Sequence, residues 1–169
     1  MLVLGGARSG KSAYAEKLVA ESGLAATYIA TAEARDEEMQ ERIEEHRARR
    51  GSAWRTVEAP LALEDAVRAE AGEGRAVLVD CLTLWASNLV LAGADVERRG
   101  ASLANTVQGA RGLRVLVSNE VGLGIVPDNE LGRKFRDAQG RLNQNIAAIA
   151  DRVVFMAAGL PLVLKGSGT

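Results

Sequence analysis

The segment "GGARSGKS" at residues 5–12 constrains this chain more than any other stretch. It reads glycine, four residues, glycine, lysine, serine, and it stands between the apolar run "MLVL" and the helix-compatible "SAYAEKLVAES". Glycines at this spacing permit backbone conformations and close approaches that a side chain forbids, so successive N–H groups turn toward an anion. The helix that follows adds the positive end of its dipole. A loop of this kind needs a strand leading into it and a helix leaving it, which commits the chain to an α/β class. A glycine-rich turn that holds nothing is the other reading of the same residues.

The remaining sequence keeps the rhythm that such a unit begins. The short apolar runs "ATYIA", "WRTV", "AVLVD", "RVLVS" and "RVVFM" are separated by helix-compatible segments or turns. They are nearly continuous in apolar character rather than alternating, as a parallel sheet covered on both faces requires. In "VVFMAAGLPLVLK" only Gly159 and Pro161 interrupt two apolar runs, leaving no room for a crossover helix, so a hairpin ends the sheet with an antiparallel edge. The predicted architecture is therefore α/β: a P-loop NTPase-type, mostly parallel sheet flanked by helices, with an antiparallel C-terminal edge hairpin. With 169 residues, 47% of them hydrophobic, the chain is expected to form a single domain over residues 1–169.

Two helical segments are harder to place. "LTLWASNLVLA" at 82–92 is apolar on nearly every face and must be covered on several sides, either as a central helix or as a subunit interface, which makes a homo-oligomer an expectation. The glycine- and alanine-rich stretch from Gly93 to Gly112 reads as a loosely specified helix with its connections.

Twenty-one basic residues against twenty-two acidic ones leave a net charge of −1, so neither nucleic acid nor an anionic membrane is expected as a partner. The longest apolar stretch is too short and too polar to span a bilayer, and the first residues lack the apolar run of a signal peptide. A cytoplasmic location is the expectation. The single Cys81 cannot form an intrachain disulfide and, with no basic neighbour, reads as a small buried residue.

Within the phosphate loop, Lys11 is placed to reach the β- and γ-phosphates of a nucleotide and Ser12 to ligate Mg²⁺. Such ions usually take a carboxylate from the end of a neighbouring strand, and "AVLVD" supplies Asp80, which on its own would pass as a strand-end cap. Ligands of open α/β sheets bind at the carboxyl ends of the strands. There this sequence offers Thr31, Glu58 and Asp80, and, in "SNEVGLGIVP", Asn119 and Glu120. That last segment also reads as an ordinary loop, with turns at Gly122 and Gly124 and Pro127 starting the next helix.

The only histidine lies in "DEEMQERIEEHRARR", residues 36–50. Met39, Ile43, His46 and Arg50 share one helical face, and acidic residues precede basic ones, which suits the helix dipole. An imidazole with a pKa of about 6.5 is largely neutral at cellular pH and able to attack phosphorus, while Arg47, Arg49 and Arg50 would hold phosphate oxygens. A partly exposed histidine on a salt-bridged surface helix explains the same residues.

Taken together, "GGARSGKS", "YIATAEARDEEMQERIEEHRARRGSAWRTVEAP", "VDCLTLWASNL", "SNEVGLGIVPDN" and "FRDAQGRLNQNIAAIAD" resemble the bifunctional adenosylcobinamide kinase and adenosylcobinamide-phosphate guanylyltransferase family of cobalamin biosynthesis. The resemblance covers nearly the whole chain. It implies phosphorylation of adenosylcobinamide by ATP or GTP, then transfer of GMP from GTP to adenosylcobinamide phosphate through a GMP-histidine at His46. It also implies nucleotide contacts at Gly6, Ala7, Arg8, Ser9, Gly10, Lys11, Ser12 and Ala13, at Ala30, Thr31 and Ala32, at Arg47, Ala48, Arg49 and Arg50, and at Glu58 and Asp80. Ser12 and Asp80 would hold Mg²⁺, and a homo-oligomer, a trimer among the arrangements implied, would be the assembly. Leu4 stands where relatives often have threonine, and the segment from Leu91 to Arg114 is short and glycine-rich for the family. Two other readings remain: a monofunctional small-molecule P-loop kinase, and a P-loop ATPase acting as a partner module.

Overall fold

Leu2, Val3 and Leu4 have almost no solvent exposure, and they form the centre of a strand, β1 (Leu2–Gly5), that has neighbours on both sides. The computed structural model describes residues 1–33 and 53–167. After β1 come α1 (Lys11–Glu21), β2 (Ala25–Ala30), β3 (Trp54–Glu58), α2 (Leu63–Glu70), β4 (Arg75–Asp80), α3 (Leu82–Leu91), α4 (Val96–Gly109), β5 (Leu113–Asn119), α5 (Glu130–Ile149), β6 (Val153–Ala157) and β7 (Leu160–Lys165). The strands form a seven-stranded sheet in the order β3-β2-β4-β5-β1-β6-β7. Every pairing is parallel except β6 with β7, as the hairpin sequence predicts.

Successive side chains of the central strands feed two cores. Leu2, Leu4, Val77, Val79 and Leu116 point to one face, where α2, α3, α4 and α5 cover them; Val3, Leu78, Val115 and Val117 point to the other, where Ala15 and Val19 of α1 meet them. Burial on both faces is why these strands read as continuous apolar runs rather than as alternating ones.

The apolar helix α3 is a central helix. Leu82, Trp85, Ala86 and Leu89 have no exposure, and the helix packs between β5, α4 and α5, so an interface is not what covers these side chains. Trp85 donates its indole N–H to Leu61 O at 3.0 Å and lies under the Arg99 guanidinium, 5.9 Å from the ring centroid. Arg99 in turn makes two bonds to the buried Glu64 carboxylate, at 2.6 and 2.7 Å, which ties α4 to α2 and holds the guanidinium above its ordinary pKa. Truncation at Trp85→Ala should lower the unfolding free energy by about 3–5 kcal/mol. Urea unfolding followed by circular dichroism checks this; a loss below about 1 kcal/mol would show that the ring is not enclosed.

The segment 93–112 is better specified than its composition suggests. Asp95 caps α4 by accepting from Arg98 N at 3.0 Å, and Gly100 lies against α5, where a Cβ would stand 3.0 Å from Leu142 Cδ1. The small residue there sets the approach of two helices rather than loosening one. Pro127 does not begin a helix; α5 starts at Glu130, with Asn129 as its cap accepting from Gly132 N at 2.7 Å. Among the described residues no helix is long and apolar enough to cross a membrane.

Candidate functional site

The phosphate loop is shaped by backbone that only glycine fits. A Cβ on Gly5 would stand 2.5 Å from Met156 O and 2.7 Å from Ser9 Oγ. Gly10 has φ 92° and sits where a Cβ would meet Gly159 Cα at 3.3 Å, so the turn of the β6–β7 hairpin closes against the loop. Gly159 N donates to Ser9 O at 3.0 Å across that contact.

Gly10 is also the N-cap of α1, and the cap is unlike those of α4 and α5. Gly10 has no side chain to cap the helix, and no acidic residue lies in the first turn. The first-turn amides therefore face the loop without a resident anion, which is the arrangement that binds phosphate at a helix start. Lys11 is 8% exposed and donates to Gly6 O at 2.6 Å, lying along the inside of the loop. Burial lowers its pKa, and the nearby Cys81 and Asp80 oppose that shift. Ser9 Oγ is buried with no hydrogen-bond partner among the described residues.

Strand register brings the other sequence candidates to the same end of the sheet. Ala30 is level with Glu58 on one side and Asp80 on the other, Asp80 with Val117, and Asn119 with Gly5. Asp80, at the end of β4, accepts from Tyr28 Oη at 3.2 Å. Cys81 is buried, and burial together with the Asp80 charge pushes its thiol up to about 12, so it is not a nucleophile at neutral pH. Thr31 is fully buried and its hydroxyl clasps Cys81, accepting from its N–H at 2.8 Å and donating to its carbonyl at 2.7 Å. The sequence places that hydroxyl in the crevice wall; in the fold it braces the Asp80–Cys81 segment instead. Glu58 is exposed on the edge strand, two strands from Asp80. Ala30 and Ala32 are half-buried beside it. His46, Arg47, Ala48, Arg49 and Arg50 lie outside the described residues.

A buried polar cluster beneath the end of β5 was not anticipated. Ser118 Oγ donates to Asn143 Oδ1 at 2.6 Å, and Gln139 Nε2 donates to Ser118 Oγ at 2.8 Å and to Asn143 Oδ1 at 2.9 Å. Gln139 and Asn143 lie on the same face of α5 as Leu142 and Ile146, so polar residues at core positions were the available signal. Thr83 Oγ1 accepts from Asn119 N at 2.7 Å, and Asn143 Nδ2 donates to Asn119 O at 3.1 Å. Both backbone groups of Asn119 are thus held by side chains from two different helices.

Among the described residues no three acidic, histidine or cysteine side chains gather as a metal site. Ser12 at the start of α1 and Asp80 across the crevice nonetheless fit Mg²⁺, which commonly binds one carboxylate with a hydroxyl, substrate phosphates and water. A groove lined by Arg68, Asn105, Thr106 and Arg111 lies at the amino ends of β4 and β5, away from these residues.

The model of the family described as cobinamide kinase / cobinamide phosphate guanyltransferase matches residues 1–164. The bifunctional adenosylcobalamin biosynthesis protein CobP of Pseudomonas aeruginosa is 56% identical over 169 residues, covering 98% of this chain and 96% of its own length. The bifunctional adenosylcobalamin biosynthesis proteins CobU of Escherichia coli and Salmonella typhimurium are 39% and 38% identical over 180 residues, each covering 98% of this chain and 99% of their own length.

Proposed function

The chain belongs to the cobinamide kinase / cobinamide phosphate guanyltransferase family, and on that premise we propose that it carries out both reactions in turn. It phosphorylates adenosylcobinamide from ATP or GTP, then transfers GMP from GTP to adenosylcobinamide phosphate, giving adenosyl-GDP-cobinamide and pyrophosphate. The observation that carries this reading is the family match, which runs through the phosphate loop, the His46 segment and the residues after β5 without leaving the chain.

In the first reaction the loop amides from Gly6 to Ala13 and the Lys11 ammonium hold the triphosphate, and Ser12 and Asp80 would hold Mg²⁺, which when bound would supply charge neutralisation. The Thr31 hydroxyl is committed to Cys81, its N–H to Asp80 O and its carbonyl to Asn88, so in the stretch Ala30, Thr31 and Ala32 a polar contact to the nucleotide falls mainly to Ala32, with Glu58 at the crevice edge. In the second reaction His46 forms a bond to the α-phosphorus of GTP while pyrophosphate leaves, and Arg47, Ala48, Arg49 and Arg50 receive the nucleotide beside it. A phosphate oxygen of adenosylcobinamide phosphate then takes the GMP and restores His46.

A homo-oligomer in the cytoplasm completes the reading. Leu160, Leu162 and Leu164 on the edge strand β7, and Leu123, Ile125 and Val126 after β5, are apolar side chains exposed on this single chain, which supports an assembly.

Incubation with GTP and adenosylcobinamide should yield adenosylcobinamide phosphate and GDP, followed by adenosyl-GDP-cobinamide and pyrophosphate. Phosphorylation without pyrophosphate release would leave a monofunctional kinase. Nucleotide hydrolysis with no corrinoid product at all would leave the ATPase partner module.

A further inference from the structure

Glu120 is a crevice residue for which the fold builds an unusual support and to which the reactions above assign no task. β5 lies between β1, which carries the phosphate loop, and β4, which ends in Asp80. Glu120 is the first residue past β5, so it emerges between the loop and the metal-site carboxylate. Its own N–H donates to Gly5 O at 3.1 Å, fixing it to the first residue of the loop. The carbonyl on the other side of the same peptide, that of Asn119, is held by Asn143. The peptide leading into Glu120 is therefore pinned at both of its polar atoms.

Below that peptide lie Ser118 and Gln139, neither with any exposure, and Asn143, almost wholly buried. Gln139 Oε1 is buried with no hydrogen-bond partner among the described residues, so the cluster carries a desolvation cost that apolar side chains would avoid. A fold gains position from such a cluster, and what it positions here is the start of the turn at Glu120. The side chain is held as well: one carboxylate oxygen accepts from Gly122 N at 2.5 Å, which folds Glu120 back over its own turn. Of the two strand-end carboxylates described on the other side of β5, Asp80 is assigned above to the metal and Glu58 sits on the edge strand, beyond β2.

We infer that Glu120 accepts the proton of the attacking cobinamide hydroxyl in the kinase reaction; this rests on the activity proposed above. As the hydroxyl oxygen bonds to the γ-phosphorus, its proton passes to the Glu120 carboxylate. The bond from the γ-phosphorus to the β,γ-bridging oxygen breaks, and the nucleoside diphosphate leaves with that electron pair. The guanylyl transfers need no such acceptor, because their nucleophiles are a neutral imidazole and an ionised phosphate oxygen. Glu120 should accordingly matter for one reaction and not for the other.

Glu120→Gln keeps the shape and the acceptor for Gly122 N but removes the basic oxygen. Its kinase turnover should fall by about 10²–10⁴-fold. Labelling of the protein from GTP carrying a radioactive α-phosphate, and passage of that label to supplied adenosylcobinamide phosphate, should stay within about threefold of wild type, well inside the range a lost proton acceptor would exceed. Equal loss of both reactions would overturn the assignment, as would wild-type kinase turnover. Glu120→Ala adds an arm that a bracing role would not move: added formate should restore kinase turnover in it, and no restoration would count against a proton acceptor. Wild-type protein that makes no adenosylcobinamide phosphate would overturn the activity itself and this role with it; a competent wild type with an unaffected Gln variant would overturn the role alone.

Discussion

Lys11→Met should abolish both reactions while leaving the folded protein without nucleotide as stable as wild type. The ammonium lies inside the loop at 8% exposure, and burial is the main cause of its lowered pKa. Its charged form is thus disfavoured in the fold relative to the unfolded chain. The sign follows: Lys11 detracts from stability while it is protonated in the fold, and that loss disappears as pH rises through the lowered value toward the ordinary lysine range. A bound triphosphate offsets the cost by giving the charge a partner. Methionine keeps the stem and removes the charge, so the unfolding free energy without nucleotide should stay within about 1 kcal/mol of wild type, the worth of the bond to Gly6 O. Both kcat/KM values should fall by about 10³-fold or more, on the scale of a lost charge-stabilising donor. The rise in melting temperature on adding GTP should vanish as well. Differential scanning calorimetry with and without GTP separates the two effects, and a variant that still gains stability from GTP would remove Lys11 from the triphosphate site.

His46→Ala should produce the opposite pattern, with one reaction lost and the other kept. Protein incubated with α-labelled GTP should carry acid-labile, base-stable label, as a phosphorus–nitrogen bond to imidazole does, and the variant should carry none above background. Its kinase turnover should stay within about tenfold of wild type, because phosphoryl transfer works by positioning and charge neutralisation and needs no covalent step on the enzyme. Label that survives in the variant would move the nucleophile elsewhere. Loss of the kinase together with the label would make the two reactions share a residue that the proposed scheme assigns to only one.

The parts of this molecule that were legible in sequence are those where one interaction dominates. The near-continuous apolar runs announced strands buried on two faces, and Gly159 with Pro161 announced the hairpin, because crossover helices need length. The places of Lys11 at the start of α1 and Asp80 at the end of β4 were legible because a phosphate loop and a strand-end carboxylate have fixed positions in such a sheet. What sequence could not show was which way a polar side chain turns. Thr31 sits at a strand end as expected but spends its hydroxyl on Cys81, a choice set by the neighbouring strand. Gln139 and Asn143 stand at core positions of α5, and only the end of β5 beneath them explains why they are polar. The apolar α3 allowed two explanations because burial by the chain itself and by a second copy select the same side chains.

The contact of the hairpin turn with the phosphate loop bears on how the site comes into being during synthesis. The loop lies within the first dozen residues, yet Gly5 is wedged against Met156 and Ser9 is bonded to Gly159. A nascent chain that has not reached β6 and β7 carries the whole motif in its sequence and lacks the surface that gives it shape. The loop therefore takes its shape only after β6 and β7 have been made and have closed against it.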